Sequence, residues 1–215
     1  MNRAAGILLP ITSLPSKYGI GCFSKSAYDF ADWLKKAGQT YWQILPLGPT
    51  SYGDSPYQSF STFAGNPYFI SLEALIEEEV LTKEECDEAD FGTRPDDIDY
   101  EKMYQSRYPL LHKAYERSSI SENPDYQRFV SENNWWLSDY ALFMALKDRF
   151  DGVPWNEWPQ DIRLRYGYSM DYYRKELYFE IEFQQYMQFQ FFKQWKALKA
   201  YVNEAGIRII GDIPI

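Results

Sequence analysis

Three short apolar runs stand out along the chain: Gly6-Ile7-Leu8-Leu9-Pro10-Ile11, Tyr41-Trp42-Gln43-Ile44-Leu45-Pro46-Leu47, and the stretch from Ile207 to Ile215. Each is continuous rather than alternating, which predicts strands buried on both faces of a parallel sheet. Each closes on an aliphatic–Pro–aliphatic triplet. Proline donates no ladder hydrogen bond, so the three prolines are placed at carboxyl ends of strands. Helical periodicity precedes the second and third runs. From Ser26 to Ala37, Phe30, Trp33, Leu34 and Ala37 fall on one face, and Ser26 with Asp29 has the spacing of a capping box. From Leu177 to Ala205, the stripe Phe183, Met187, Phe191, Trp195, Leu198, Val202 and Ala205 keeps steps of three or four and predicts core packing. Both helices end in Ala-Gly, at 37–38 and 205–206, where glycine can take the left-handed cap conformation.

The order is strand–helix–strand, a long excursion, then helix–strand. That is two parallel crossovers and an α/β class. The excursion from about Ser51 to Tyr173 is too long for a loop and is expected to fold as an insertion. Within it, 71–80 and 135–147 predict helices. The apolar stretch 134–146 is expected to be interior, and acidic 90–99 exposed. The predicted division is 1–50 (two strands and the first helix), 51–173 (a mainly helical inserted subdomain) and 174–215 (the second helix and third strand).

Composition narrows the function. With 31 acidic against 22 basic residues the net charge is −9, which disfavours nucleic acid and anionic membranes as partners. No run nears the ~18 apolar residues of a membrane span, and there is no signal core behind Met1-Asn2-Arg3. Cys22 and Cys86 lack metal-ligand spacing and suit a reducing compartment, so a cytoplasmic protein is expected. Gly19-Ile20-Gly21 has part of a dinucleotide fingerprint, but Ser24 holds the third glycine position and no acid ends the second strand. His112 stands alone, which leaves no histidine-rich zinc site. Asp96-Asp97-Ile98-Asp99 lacks the spacing of a calcium loop. No metal or cofactor is implied. Aromatic residues are abundant, at 19%. Large rings mostly build cores, yet an aromatic face also suits the C–H face of a pyranose.

The segment from Pro46 to Tyr68 leaves the carboxyl end of the second strand. Glycines and prolines set an irregular path. Tyr52, Tyr57 and Tyr68 offer ring faces, and Asp54, Ser55, Gln58 and Asn66 offer hydrogen-bonding groups. Stacking surface beside directional polar contacts suits a neutral polyhydroxylated ligand. A rigid turn whose tyrosines only pack fits the same residues.

This segment closely resembles the signature of the amylomaltases, glycoside hydrolase family 77. Residues 6–15 resemble the family's first barrel strand, 41–49 its second, and Gly211-Asp212-Ile213-Pro214-Ile215 its third. Trp135-Trp136-Leu137 and Asp139-Tyr140-Ala141-Leu142-Phe143 match its helical insertion. The resemblance implies a (β/α)8 TIM-barrel fold, here the first three strands plus a mainly helical insertion. It implies transfer of α-1,4-glucan segments between maltodextrins or starch-derived glucans by a retaining double displacement. The family's catalytic carboxylates lie on later strands, so none is expected among residues 1–215, and this chain alone is expected to be inactive and aggregation-prone. Carried over residue by residue, Tyr57 matches the tyrosine that stacks on the donor sugar and Ser55 a contact of the same loop, with Asp54 beside them. Tyr52 and Tyr104 match tyrosines of another glucan platform, and Asp212 an aspartate that orients an arginine beside the nucleophile. Two other readings use the same residues: a non-catalytic glucan-binding fragment, and a helical scaffold whose aromatics are all core.

Overall fold

The computed structural model describes residues 3–50, 53–94 and 96–214. Three parallel strands, β1 (Gly6–Leu8), β2 (Tyr41–Gln43) and β3 (Arg208–Ile210), form a sheet in the order β1-β2-β3. In register, Ile7, Trp42 and Ile209 share one row. Main-chain bonds extend the ladder beyond the strands, from Leu9 N to Gln43 O (3.0 Å) and from Ile44 N to Ile210 O (3.0 Å). Pro10, Pro46 and Pro214 all follow strand ends, where no ladder donor is needed.

The expected burial on both faces holds for one face only. The row of Ile7, Trp42 and Ile209 is the better covered one, and Trp42 is fully buried. Its indole lies edge-on to Phe30, with centroids 4.9 Å apart, and donates to Leu9 O at 2.8 Å. The alternate positions look the other way: Leu8 is 55% and Ile210 43% exposed. A parallel sheet read as buried from its apolar run needs layers on both sides. Among the described residues one side of this sheet is left bare.

Helices α1 (Lys25–Lys36), α2 (Leu72–Glu77), α3 (Lys83–Glu88) and α4 (Tyr100–Arg117) follow, then α5 (Pro124–Arg149), α6 (Gln160–Arg163), α7 (Gly167–Glu176) and α8 (Tyr178–Glu204). The chain divides into two compact units, 1–118 with 190–215, and 119–189. In the first unit α1 buries Ala27, Ala31 and Leu34, whereas Trp33 is 55% exposed and stacks on Phe30 at 6.0 Å. The inward face is therefore one position away from that read from the large rings, because small alanines let the helix approach its neighbours closely. Ser26 forms no capping box. Ser24 is the N-cap, and Asp29 instead accepts from Lys25 Nζ at 2.5 Å, one turn back. The Ala-Gly ends behave as expected, with Gly38 and Gly206 at φ of 68° and 87°. Gly21 is needed for close approach, since a Cβ there would lie 2.0 Å from the Ile11 carbonyl oxygen.

Helix α8 carries the predicted stripe. Phe183, Met187, Phe191, Leu198 and Val202 are buried, while Trp195 and Ala205 are half-buried. In the first unit Gln194 Oε1 accepts from Ser71 N at 2.7 Å, fastening α8 to the N-cap of α2. The second unit has its own core, Leu142, Leu146, Trp158, Ile162, Met170 and Leu177, with Phe143 and Phe150 packed against it. The stretch 134–146 is only partly interior: Leu137 and Ala141 are fully buried, but Trp135 is 68% exposed. Of the described residues from 90 to 99, all are exposed as expected except Phe91, which is buried, and Ile98, which is half-buried.

Candidate functional site

The loop that follows β2 is closed at its base. Asn66 N donates to Leu47 O at 2.9 Å, so both feet of the 47–66 segment stand together at the carboxyl end of the sheet. Two glycines permit close approaches here. A Cβ on Gly48 would meet Ser59 Oγ at 2.6 Å, and one on Gly65 would meet the Phe191 ring at 2.2 Å. Between the feet, Thr50 and Ser59 form an antiparallel bridge, and Gly53 (φ 90°) and Asp54 (φ 52°) turn the chain. Serines tie the return path: Ser59 Oγ donates to Ser61 O at 2.9 Å, and Ser61 Oγ accepts from Ala64 N at 3.1 Å. These bonds hold the backbone, which leaves large side chains to face outward.

Tyr57 is one of them, 47% exposed. Its hydroxyl donates to Asp212 Oδ2 at 2.7 Å, a bond between residues 155 apart in sequence. Asp212 lies two residues past the end of β3, and its other oxygen accepts from Ile213 N at 2.9 Å. The bond joins the loop after β2 to the end of β3, so two ends of neighbouring strands meet at one mouth. Donating to a carboxylate raises the phenol's pKa above its ordinary value, because losing that proton would leave two anions in contact. A cavity of about 250 Å³ opens beside them, lined by Leu45, Leu47, Trp195, Lys199 and Asp212 among others.

The remaining sequence-derived residues take different positions. Ser55 is half-buried, and its carbonyl accepts from Gln58 N at 3.0 Å. Asp54 accepts from Thr50 Oγ1 at 3.2 Å and lines a small cavity of about 40 Å³ beneath the loop. Its carboxylate there braces the turn from within. Tyr104 is exposed on α4, with its ring 4.8 Å from Tyr108. Tyr52 lies outside the described residues. Tyr68 and Asn66, read from sequence as ligand-facing, are buried. Asn66 Oδ1 caps the Tyr68 amide at 2.9 Å, and burial pushes the Tyr68 phenol up to about 12. A helical turn that begins at Pro67 swings both side chains under the loop. Arg107, fully buried, reaches from α4 to donate to the Ile70 carbonyl and pins the downstream end of the same segment.

Sequence reasoning missed Tyr100 and Tyr108. Both approach Tyr68 with centroids 6.3 Å away, forming a tyrosine row that ends at Tyr104. The spacing 100, 104, 108 on one helix face was the available signal. His112 lies on the surface with Nδ1 3.2 Å from Glu116, one turn on. Among the described residues no group of His, Cys, Asp and Glu side chains could hold a metal ion, and no helix is long and apolar enough to cross a membrane.

Comparison with known proteins adds an independent line. The profile of a family described as 4-alpha-glucanotransferase matches residues 9–215. The 4-alpha-glucanotransferase of Clostridium butyricum is 50% identical over 205 residues, covering 95% of this chain and 42% of that protein. That of Streptococcus pneumoniae is 47% identical over 216 residues, covering 100% and 43%. The structure of an amylomaltase from Streptococcus agalactiae, in complex with acarbose, superposes with a TM-score of 0.93 at 40% identity, over 99% of this chain and 43% of that one. The chain thus spans about two-fifths of the length of the relatives it matches.

Proposed function

Because this chain belongs to the 4-alpha-glucanotransferase family, we propose that it forms the donor-sugar side of an enzyme that moves α-1,4-glucan segments from one maltodextrin to another. The family mechanism is a retaining double displacement, in which a carboxylate takes the glucan and a second acidic group serves as acid and then base. No residue of 1–215 is assigned either role, and the transfer is a property of the whole protein. The part played here is binding. The exposed Tyr57 ring offers the apolar face of a pyranose its stacking partner, and the hydroxyl's bond to Asp212 holds that ring before the sugar arrives. A platform ordered in advance loses little conformational entropy on binding. Ser55 lies next to it with a hydroxyl for a sugar edge, and the Tyr104 end of the tyrosine row offers another aromatic surface for a longer chain.

The observation that carries this reading is the 2.7 Å bond between Tyr57 and Asp212 at the carboxyl ends of neighbouring parallel strands, the place where barrel enzymes build their sites. On the same reading β1 to β3 are the first strands of an eight-stranded barrel, with 51–173 inserted after the second. The bare sheet face bearing Leu8 and Ile210 is then the barrel interior, filled by side chains of the other strands, and the protein works in the cytoplasm. The test is Tyr57→Ala in the complete protein with maltotriose as donor. Transfer falls and KM rises on this reading. Turnover and KM both equal to the parent's would remove it, and a complete protein that binds glucan yet transfers none would point to the non-catalytic alternative.

A further inference from the structure

The second unit carries a cavity with no part in the site around Tyr57. It holds about 280 Å³ and opens to solvent between α5, α6 and the turn of Trp155–Glu157. Its floor is Trp158, 6% exposed, fixed by Nε1 donating to Val153 O at 3.1 Å and by the rings of Phe143 and Phe150 at 5.4 and 5.5 Å. One wall is Trp155, and more than half of that side chain stands in water, at 57% exposure. The indole stands over an apolar floor, so its ring face is open to a ligand that enters the cavity.

The rim is polar, with Asp139 set against Arg163 and Arg165. Arg165 Nη2 lies 2.9 Å from Asp139 Oδ1. Arg163 Nη1 donates to Asn156 O at 2.8 Å, which ties the Trp155 turn to α6. Arg165 sits just past the end of α6 at φ 56°, where the backbone favours glycine. Tyr166 N closes that helix end by donating to Asp161 O at 2.9 Å. The left-handed turn aims the guanidinium back at α5, so an arginine occupies a position that the backbone alone would give to a smaller residue.

These features select a class of ligand. The Asp139–Arg165 pair neutralises itself, and Arg163, held by the neutral Asn156 carbonyl, leaves the rim one positive charge that a neutral polyol tolerates. A guanidinium and a carboxylate side by side present donors and acceptors at the spacing of neighbouring hydroxyls. The indole presents an apolar face of the kind that covers sugar C–H bonds. The volume lies just under the ~300–1,000 Å³ usual for drug-sized ligands, which suits one or two pyranose rings of a chain that continues into solvent. We propose that this cavity is a glucan-binding site of the second unit, with Trp155 as its stacking platform and the Asp139–Arg165 pair as its hydroxyl-binding rim. The choice of glucan over other neutral polyols rests on the function proposed above; the site's geometry does not.

The test is native electrophoresis of the complete protein through gels containing amylopectin, alongside turnover of maltotriose and of amylose. Trp155→Ala is expected to weaken retardation about three- to tenfold in apparent Kd, the scale of one lost aromatic stack, and to lower the ratio of amylose to maltotriose turnover. Trp155→Phe keeps a ring and keeps most of the retardation. Arg165→Gly removes the rim donor while relieving the left-handed turn, and weaker retardation with the parent's thermal midpoint retained reports the rim and not unfolding. A parent protein that turns over maltotriose and is retarded, with Trp155→Ala and Arg165→Gly retarded equally, overturns the site and leaves the function standing. A parent that does neither overturns both. Loss of anilinonaphthalene sulfonate binding in Trp155→Ala, with retardation intact, would assign the cavity to an apolar ligand and also overturn the proposal.

Discussion

Gly65→Ala tests how the 47–66 loop is seated. The added methyl would lie 2.2 Å from two carbons of the Phe191 ring and 2.4 Å from a third. Carbon atoms prefer ~3.5–4.0 Å, so the ring or the loop must shift by more than ~1 Å. Phe191 has little room to give. It is 3% exposed and packed against Phe23 at 5.2 Å, Phe192 at 5.1 Å and Phe69 at 6.4 Å. Overpacking of this kind costs about 1–3 kcal/mol, read as a fall in unfolding free energy from a denaturant titration at unchanged slope. Phe191→Ala alone empties a cavity at ~3–5 kcal/mol. The methyl of Gly65→Ala would enter that cavity, so the double variant should cost less than the sum of the singles by ~0.5–3 kcal/mol, the range for residues in contact. Asn66, next in sequence, closes the loop onto Leu47. On the proposed function, Gly65→Ala should therefore also lower transfer from maltotriose by the complete protein, by displacing Tyr57. Additivity within ~0.5 kcal/mol, or a single variant as stable as the parent, would refute the reasoning.

Two further outcomes follow from the electrostatics. Asp212→Asn removes the carboxylate that raises the Tyr57 phenol, so that pKa should fall toward its ordinary 10.0. Spectrophotometric titration against Tyr57→Phe identifies the signal, and a tyrosine titration identical to the parent's would contradict the bond to Asp212. Glu85 accepts from Arg117 at 2.7 Å and closes a capping box with Thr82, and the guanidinium together with that backbone N–H lowers its carboxyl from 4.5 to about 2. A carboxyl more acidic when folded contributes stability that is complete above about 4.5 and is lost as pH falls toward about 2. Arg117→Ala should flatten the pH dependence of the thermal midpoint in that window; an unchanged slope would show that the pair contributes nothing there.

Local patterns in this chain announced its elements and little about their orientation. Three apolar runs capped by proline, two Ala-Gly helix ends and the stripe from Phe183 to Val202 specified strands, helices and their order, because each depends on neighbours within a few residues. The irregular path of 46–68 is local only in part: its glycines and prolines stand in the sequence, but the atoms that crowd Gly48 and Gly65 come from Ser59 and Phe191, which the fold brings there. Which face turned inward was decided by packing between elements. Trp33 points outward while Ala27 and Ala31 are fully buried, and Tyr68 and Asn66 go under the loop while Tyr57 stays exposed. The tertiary fold alone joined Tyr57 to Asp212 across 155 residues and brought Arg165 to Asp139. Side chains so far apart in sequence meet only when the chain between them has folded, and no local periodicity encodes that meeting.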